Sequence, residues 1–381
     1  MRLSSPSRPV SSAVALAVAF AALVTYASLY PFSGWNWPAG ARWYELLTLP
    51  MPPWRDRFDI VANLLGYVPL GFLIYLAALR QACALRCRVL LALLVPSALS
   101  VFMEMAQHFL PGRYPSLLDW LLNSAGGMLG LVLGLLLQHL SVIERWHSVR
   151  ERWFIQRSSG ALVLLWLWPA ALLFPSPVPL ALGPSWARLQ DELLDWLIDV
   201  PWAQTALELV AELPVGDPPL PTLVEAVMVM LGLLGPCLLT HAITRRPWRR
   251  ALLVPVVALV AWAAATLSAA LNFGPEHALA WVTPTVPVGL GLGGVLALGL
   301  AWVPQRLSAA LGLAVLAMLV LLVAQAPADP YFALSLQAWE QGRFVRFHGL
   351  AQWLGWLWPF GAALWLMRRV AMPQRVMAGL G

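Results

Sequence analysis

Three pairs of polar residues interrupt otherwise apolar stretches of this chain: Asp59-x-x-x-Asn63, Glu104-x-x-Gln107 and Asp119-x-x-x-Asn123. Spacings of three and four put each pair on one face of a helix. Paired carboxylates are what general acid–base chemistry uses, so Glu104 and Asp119 are the catalytic candidates. Asn63, Gln107 and Asn123 suit a sugar or an amide. Arg113, in the tight turn Pro111-Gly112-Arg113-Tyr114-Pro115, can hold a phosphate or carboxylate through two parallel hydrogen bonds. With Asp59 these residues form the substrate-binding set. The rival reading is hydrogen-bonded glue between helices, a role that Ser or Asn fills at lower cost than a carboxylate.

The elements that position these groups follow from composition. The chain has 381 residues, 60% of them hydrophobic and 11% charged. A soluble domain carries about 25% charged residues. A soluble enzyme is therefore excluded, and so are a disordered chain and a disulfide scaffold. Ten apolar runs approach the roughly 20 residues that cross a bilayer: 10–30, 60–79, 89–110, 116–138, 157–175, 222–243, 251–272, 284–303, 307–325 and 349–367. The first reads as a span and not as a cleaved signal, because bulky Tyr30-Pro31-Phe32 follows it with no small-x-small site. All 24 basic residues are Arg, and 17 of them fall on one side if the N-terminus is cytoplasmic. The positive-inside rule then puts both termini in the cytoplasm. The expected fold is all-α, a polytopic integral membrane helical bundle of about ten transmembrane helices.

Depth brings the pairs together. The second span starts outside, with Asp59 at the surface and Asn63 one turn deeper. The third ends near Leu110, which puts Glu104 about 9 Å below its outer end. The fourth re-enters near Ser116, so Asp119 and Asn123 reach a similar level. The expectation is a polar pocket open to the outside, beneath Arg113.

Other features have simpler readings. Cys83 and Cys87 fall in a short basic loop, and a metal there would need more ligands. No metal or cofactor site is expected, and the Arg clusters follow topology, so nucleic acid is not a partner. Gly126, Gly130 and Gly134 form a small-xxx-small stripe that helix packing explains. Gly289, Gly291, Gly293 and Gly294 lack the Lys-Ser/Thr of a phosphate loop. Trp35, Trp37, Trp43, Trp54, Trp202, Trp302, Trp353, Trp356 and Trp358 read as an interfacial belt, with sugar stacking by Trp35, Trp37 and Trp43 as the alternative. The acidic outer segment 176–221 reads as two short helices broken at Pro201, with Asp191, Asp195 and Asp199 on one face. Residues 329–360 carry Trp339, Glu340, Arg343, Arg346 and His348 in an outer stretch without an assigned role. Three regions result: 1–140 with four spans, a basic linker 141–158, and 159–381 with six.

The run Asp59-Ile-Val-Ala-Asn63-Leu-Leu-Gly-Tyr-Val-Pro69-Leu-Gly71-Phe72 resembles the signature of the VanZ-like membrane family. So do Ser100-Val-Phe-Met-Glu104-Met-Ala-Gln107, Pro111-Gly-Arg113 and Asp119-Trp-Leu-Leu-Asn123-Ser-Ala-Gly126. The resemblance covers about residues 13–137. The family is named for a protein associated with teicoplanin resistance in bacteria, and its members have four or five spans. The resemblance implies a multi-pass protein of the bacterial inner membrane with a role in the cell envelope. It points to the same seven residues, but it supplies no reaction, and glycopeptide resistance does not carry over.

The expected function is binding, and beyond that processing, of an amphiphilic membrane lipid or lipid-linked envelope intermediate in the outward pocket. The alternatives are a non-catalytic partner of an envelope-polysaccharide or export complex, and a transporter or flippase. Oligomeric state is not legible.

Overall fold

The computed structural model describes residues 12–30, 57–156, 158–174, 176–198, 200–212, 220–326 and 345–371, and 32, 34–38, 40, 42, 44, 46 and 48–51. Its helices are α1 (Ser12–Leu29), α2 (Arg57–Arg80), α3 (Leu85–Gln107), α4 (Leu117–His139), α5 (Val142–Trp153), α6 (Ser159–Ala171), α7 (Trp186–Ile198), α8 (Gln204–Ala211), α9 (Thr222–Ile243), α10 (Pro247–Phe273), α11 (Thr285–Gly299), α12 (Gln305–Ala324) and α13 (Val345–Ala371). Two compact units divide them, Met1–Ser148 and Val149–Gly381. The division falls inside the segment taken from the sequence as a linker.

Seven helices among the described residues are long and apolar enough to cross a membrane: α2, α3, α4, α9, α10, α11 with its following turn, and α12. Their outward faces are apolar. Leu94, Phe102, Leu259, Val295 and Leu321 are all more than half exposed. Water would not tolerate so much contiguous apolar surface, whereas lipid does. The other three expected spans differ. Helix α1 has 18 residues. Helix α6 has 13, or about 20 Å of helix. It stops at Ala171, past Pro169 and before Pro175. Helix α13 has 27 residues and carries Arg368 and Arg369 in its last turn.

Two local expectations change. The basic stretch 139–158 is largely helix, because Val142, Trp146 and Val149 recur at i, i+4 and i+7 and leave the Arg residues on other faces. Cys87 lies in the first turn of α3, leaving Cys83 alone in the connection. In the segment 176–221, α7 and α8 are separated by a 3-10 turn at Pro201–Ala203. The buried Gln190 Nε2 joins them by donating to the Val210 carbonyl at 2.7 Å.

The first unit packs through small apolar clusters: Val24 of α1 with Tyr67 and Leu70 of α2, Leu29 with Met103 and Leu110, and Tyr75 with Ala92 and Leu131. The second unit is built around α9, whose span is 67% buried against about 30% for the other long apolar helices. Gly289 and Gly293 of α11 let that helix approach Ala226, Val229 and Met230 of α9, so the glycine-rich stretch serves helix packing. Trp356 and Trp358 are buried, and Trp358 Nε1 donates to the Leu164 carbonyl of α6 at 2.7 Å. Those two leave the expected belt, while Trp35, Trp37, Trp202, Trp302 and Trp353 are exposed. Trp43, Trp54, Asp199, residues 329–344 and the side chains of Arg346 and His348 lie outside the described residues.

Candidate functional site

Glycines set the register that places the polar pairs. Helices α2 and α4 run parallel and touch backbone to backbone. A Cβ on Gly126 would collide with the Leu64 carbonyl, one on Gly130 with the Val68 carbonyl, and one on Gly134 with the Tyr75 ring. Gly71 of α2 meets the Gly127 backbone in the same way, and Gly127 in turn abuts Pro96 of α3. This register puts Asn63 level with Asn123, and Asp59 level with Asp119.

The N-terminus of α4 is built from the same residues. A helix start leaves backbone N–H groups without intrahelical partners. Here Ser116 N donates to Glu104 Oε2 at 2.8 Å, Leu117 N to the Pro50 carbonyl at 3.0 Å, and Asp119 N to Ser116 Oγ at 3.2 Å. Ser116 is therefore the N-cap, and two carboxylates stand at the positive end of the α4 dipole. Glu104 is 3% exposed. It is close enough to Asp119 and to the Tyr67 hydroxyl for electrostatic interaction with both.

Deeper in the bundle, Asn123 Nδ2 donates to Ser100 Oγ at 2.9 Å, and both residues are buried. The Asn123 Oδ1, equally buried, has no hydrogen-bond partner, and the buried Tyr67 hydroxyl lies within reach of Ser100. Ser97 Oγ accepts from Trp120 Nε1 at 3.1 Å and from Ser124 Oγ at 2.9 Å. Ser97, Ser100, Ser116 and Tyr67 were missed by the sequence reading. Their signal was available: Ser97 and Ser100 precede Glu104 at helical spacing, and Ser116-x-x-Asp119 has the form of an N-cap.

The remaining candidates form a rim. Gln107 Nε2 donates to the Ser28 carbonyl at 3.2 Å and Arg113 Nη2 to the Tyr30 carbonyl at 2.5 Å, so both hold the C-terminal end of α1. Through this bond Arg113 reaches the end of α1. Asp59 is exposed in the first turn of α2, and Asn63 is half-buried. The aromatic end of α1 stacks Tyr26 on Tyr30 and Phe32, and Trp37 packs on Phe109 at 5.5 Å. His108 Nε2 lies 3.3 Å from the Thr48 carbonyl. The structure shows a gradient: exposed Asp59, half-buried Asn63, Gln107, Arg113 and Asp119, and buried Glu104 and Asn123. Among the described residues no three His, Cys, Asp or Glu side chains gather as metal ligands.

The VanZ/LLP1 family model matches residues 3–138. That span holds α1 to α4 and every residue of the polar gradient, and it is the N-terminal third of the chain. No curated protein and no solved structure matches.

Proposed function

We propose, for a multi-pass membrane protein whose residues 3–138 match the VanZ/LLP1 family, that helices α1 to α4 bind the polar head of an amphiphilic cell-envelope molecule. The ligand class is a lipid-linked sugar or a phospholipid headgroup, and the membrane is the bacterial inner membrane. One observation carries this reading. Asn123 Oδ1 is buried and unpartnered, with Ser100, the Tyr67 hydroxyl and Glu104 close by, inside an otherwise apolar bundle. A buried polar group left unpaired costs about 1–3 kcal/mol. An unpaired carbonyl acceptor is what a ligand hydroxyl or amide N–H satisfies. Asp59 and Asn63 lead in from the surface at the matching levels of α2. Glu104 and Asp119 are the pair that would exchange protons with a bound ligand, and processing is the second step of this reading.

Thermal unfolding of the detergent-solubilised chain tests binding. A specific ligand at a hundred times its Kd stabilises the folded state by about 2.7 kcal/mol. Asn123→Leu also loses the bond to Ser100 and should unfold at a lower temperature without ligand, but ligand should no longer raise its Tm. If a lipid-linked sugar and anionic and zwitterionic phospholipids leave the wild-type Tm alike, the reading is wrong.

A second reading is favoured by the bonds themselves. Glu104 caps α4, while Gln107 and Arg113 cap α1. A non-catalytic membrane partner of an envelope-polysaccharide or export complex needs only that scaffold. Transport is the least supported, because α4 carries no polar side chain from 125 to 137.

A further inference from the structure

We propose that the end of the second unit carrying the α10 N-terminus binds the phosphate of an anionic phospholipid. The sequence there is Arg245-Arg246-Pro247-Trp248-Arg249-Arg250, and the first turn of α10 has no acidic residue. The N-terminus is the positive end of a helix dipole, where cations are disfavoured. Four guanidinium groups at that position therefore work against the helix. Among the described residues an ion pair joins His277 to Glu276, and no described carboxylate pairs with the four.

Their individual bonds separate structural arginines from available ones. Arg250, 4% exposed, donates to the carbonyls of Thr244, Ala301 and Val303, and so ties the end of α9 to the turn after α11. Arg245 Nε donates to the Phe154 carbonyl at 2.9 Å. An antiparallel bridge between Phe154 and Thr244 fixes this segment, with Ile155 N on the Ile243 carbonyl and Arg245 N on the Trp153 carbonyl.

Arg249 lies against an edge-to-face pair of indoles, its Cζ 5.1 Å from the ring centroids of both Trp153 and Trp248. The two cation–π contacts hold the guanidinium against this aromatic pair. Arg249 Nη1 donates to the Arg152 carbonyl, yet its Nε is buried without a partner. Arg369 of α13 repeats the pattern: Nη2 donates to Gln305 Oε1 at 3.2 Å, Gln305 in turn donates to the Thr244 carbonyl, and the Arg369 Nε is buried and unpaired. Half-buried Arg249 and exposed Arg246, with no carboxylate paired to either among the described residues, offer guanidinium donors to an anion. A phosphodiester supplies the acceptors.

The adjoining surface says that the phosphate carries a tail. Trp248, Leu252, Val256 and Leu259 recur at helical spacing along α10, and all are exposed. This apolar track runs from the arginines along the span, as acyl chains would. Tryptophan and arginine at a span end are the composition of an anionic headgroup site.

The test is native mass spectrometry of the full chain from micelles holding equal phosphatidylglycerol and phosphatidylcholine. The wild type should retain phosphatidylglycerol selectively, and Arg249→Gln should lower that retention about fivefold. Arg246→Glu is the sharper variant. A carboxylate at a helix N-terminus suits the dipole, so thermal stability should hold or rise while the lipid is lost. Equal retention of both lipids by the wild type, or undiminished retention by Arg246→Glu, would overturn the proposal. Displacement by millimolar inorganic phosphate would overturn the lipid assignment.

Discussion

At the residue scale, Glu104 joins the two readings of the first unit. Its carboxylate accepts from Ser116 N and stands beside Asp119 and Tyr67. Glu104→Gln keeps an acceptor for Ser116, so the fold should survive with a Tm near wild type. Glu104→Leu strands that N–H and should destabilise by about 1–3 kcal/mol; equal thermal unfolding of the two variants would show that the bond carries nothing. The residue types were legible from sequence, since carboxylates and amides inside apolar runs are expensive and stand out. Their partners were not. Gln107 and Arg113 bond to backbone carbonyls at Ser28 and Tyr30, about 80 residues away, and a carbonyl has no signature in a sequence. Ser100 and Tyr67 escaped because serine and tyrosine are ordinary in membrane helices.

At the scale of elements, hydropathy marked the long helices well, because lipid selects on length and apolarity alone. It failed where geometry decides. Helix α6 is cut short between Pro169 and Pro175, and α5 forms from an amphipathic pattern inside a basic stretch. The glycine stripe on α4 read correctly as a contact face, but its partner α2 and the parallel register needed the structure. Two glycines separate contact from composition. Gly126 abuts the Leu64 carbonyl, whereas Gly66 faces open space. Gly126→Leu should force α2 and α4 apart, lowering the Tm and broadening the gel-filtration peak. Gly66→Leu should leave both unchanged. Comparable damage from the two substitutions would contradict the register on which the site depends.

At the scale of the molecule, each unit has its own apolar core, and the family match ends with the first. Orientation was legible only as an Arg count. The three native cysteines test it: Cys87 is exposed and Cys83 half-buried near one end of α3, and Cys237 is 1% exposed. A membrane-impermeant maleimide should spare intact cells and, after permeabilisation, label Cys87 and Cys83 but not Cys237. Labelling in intact cells would invert the assigned sides. The central claim, that α1 to α4 hold an amphiphile by its head, is tested most directly by native mass spectrometry. Gently purified wild type would be compared with a Glu104→Gln/Asp119→Asn variant that unfolds at a similar temperature. The account predicts a discrete lipid-linked sugar or phospholipid on the wild type that the variant lacks. The same bulk lipids on both would contradict it and leave the carboxylates as caps of α4.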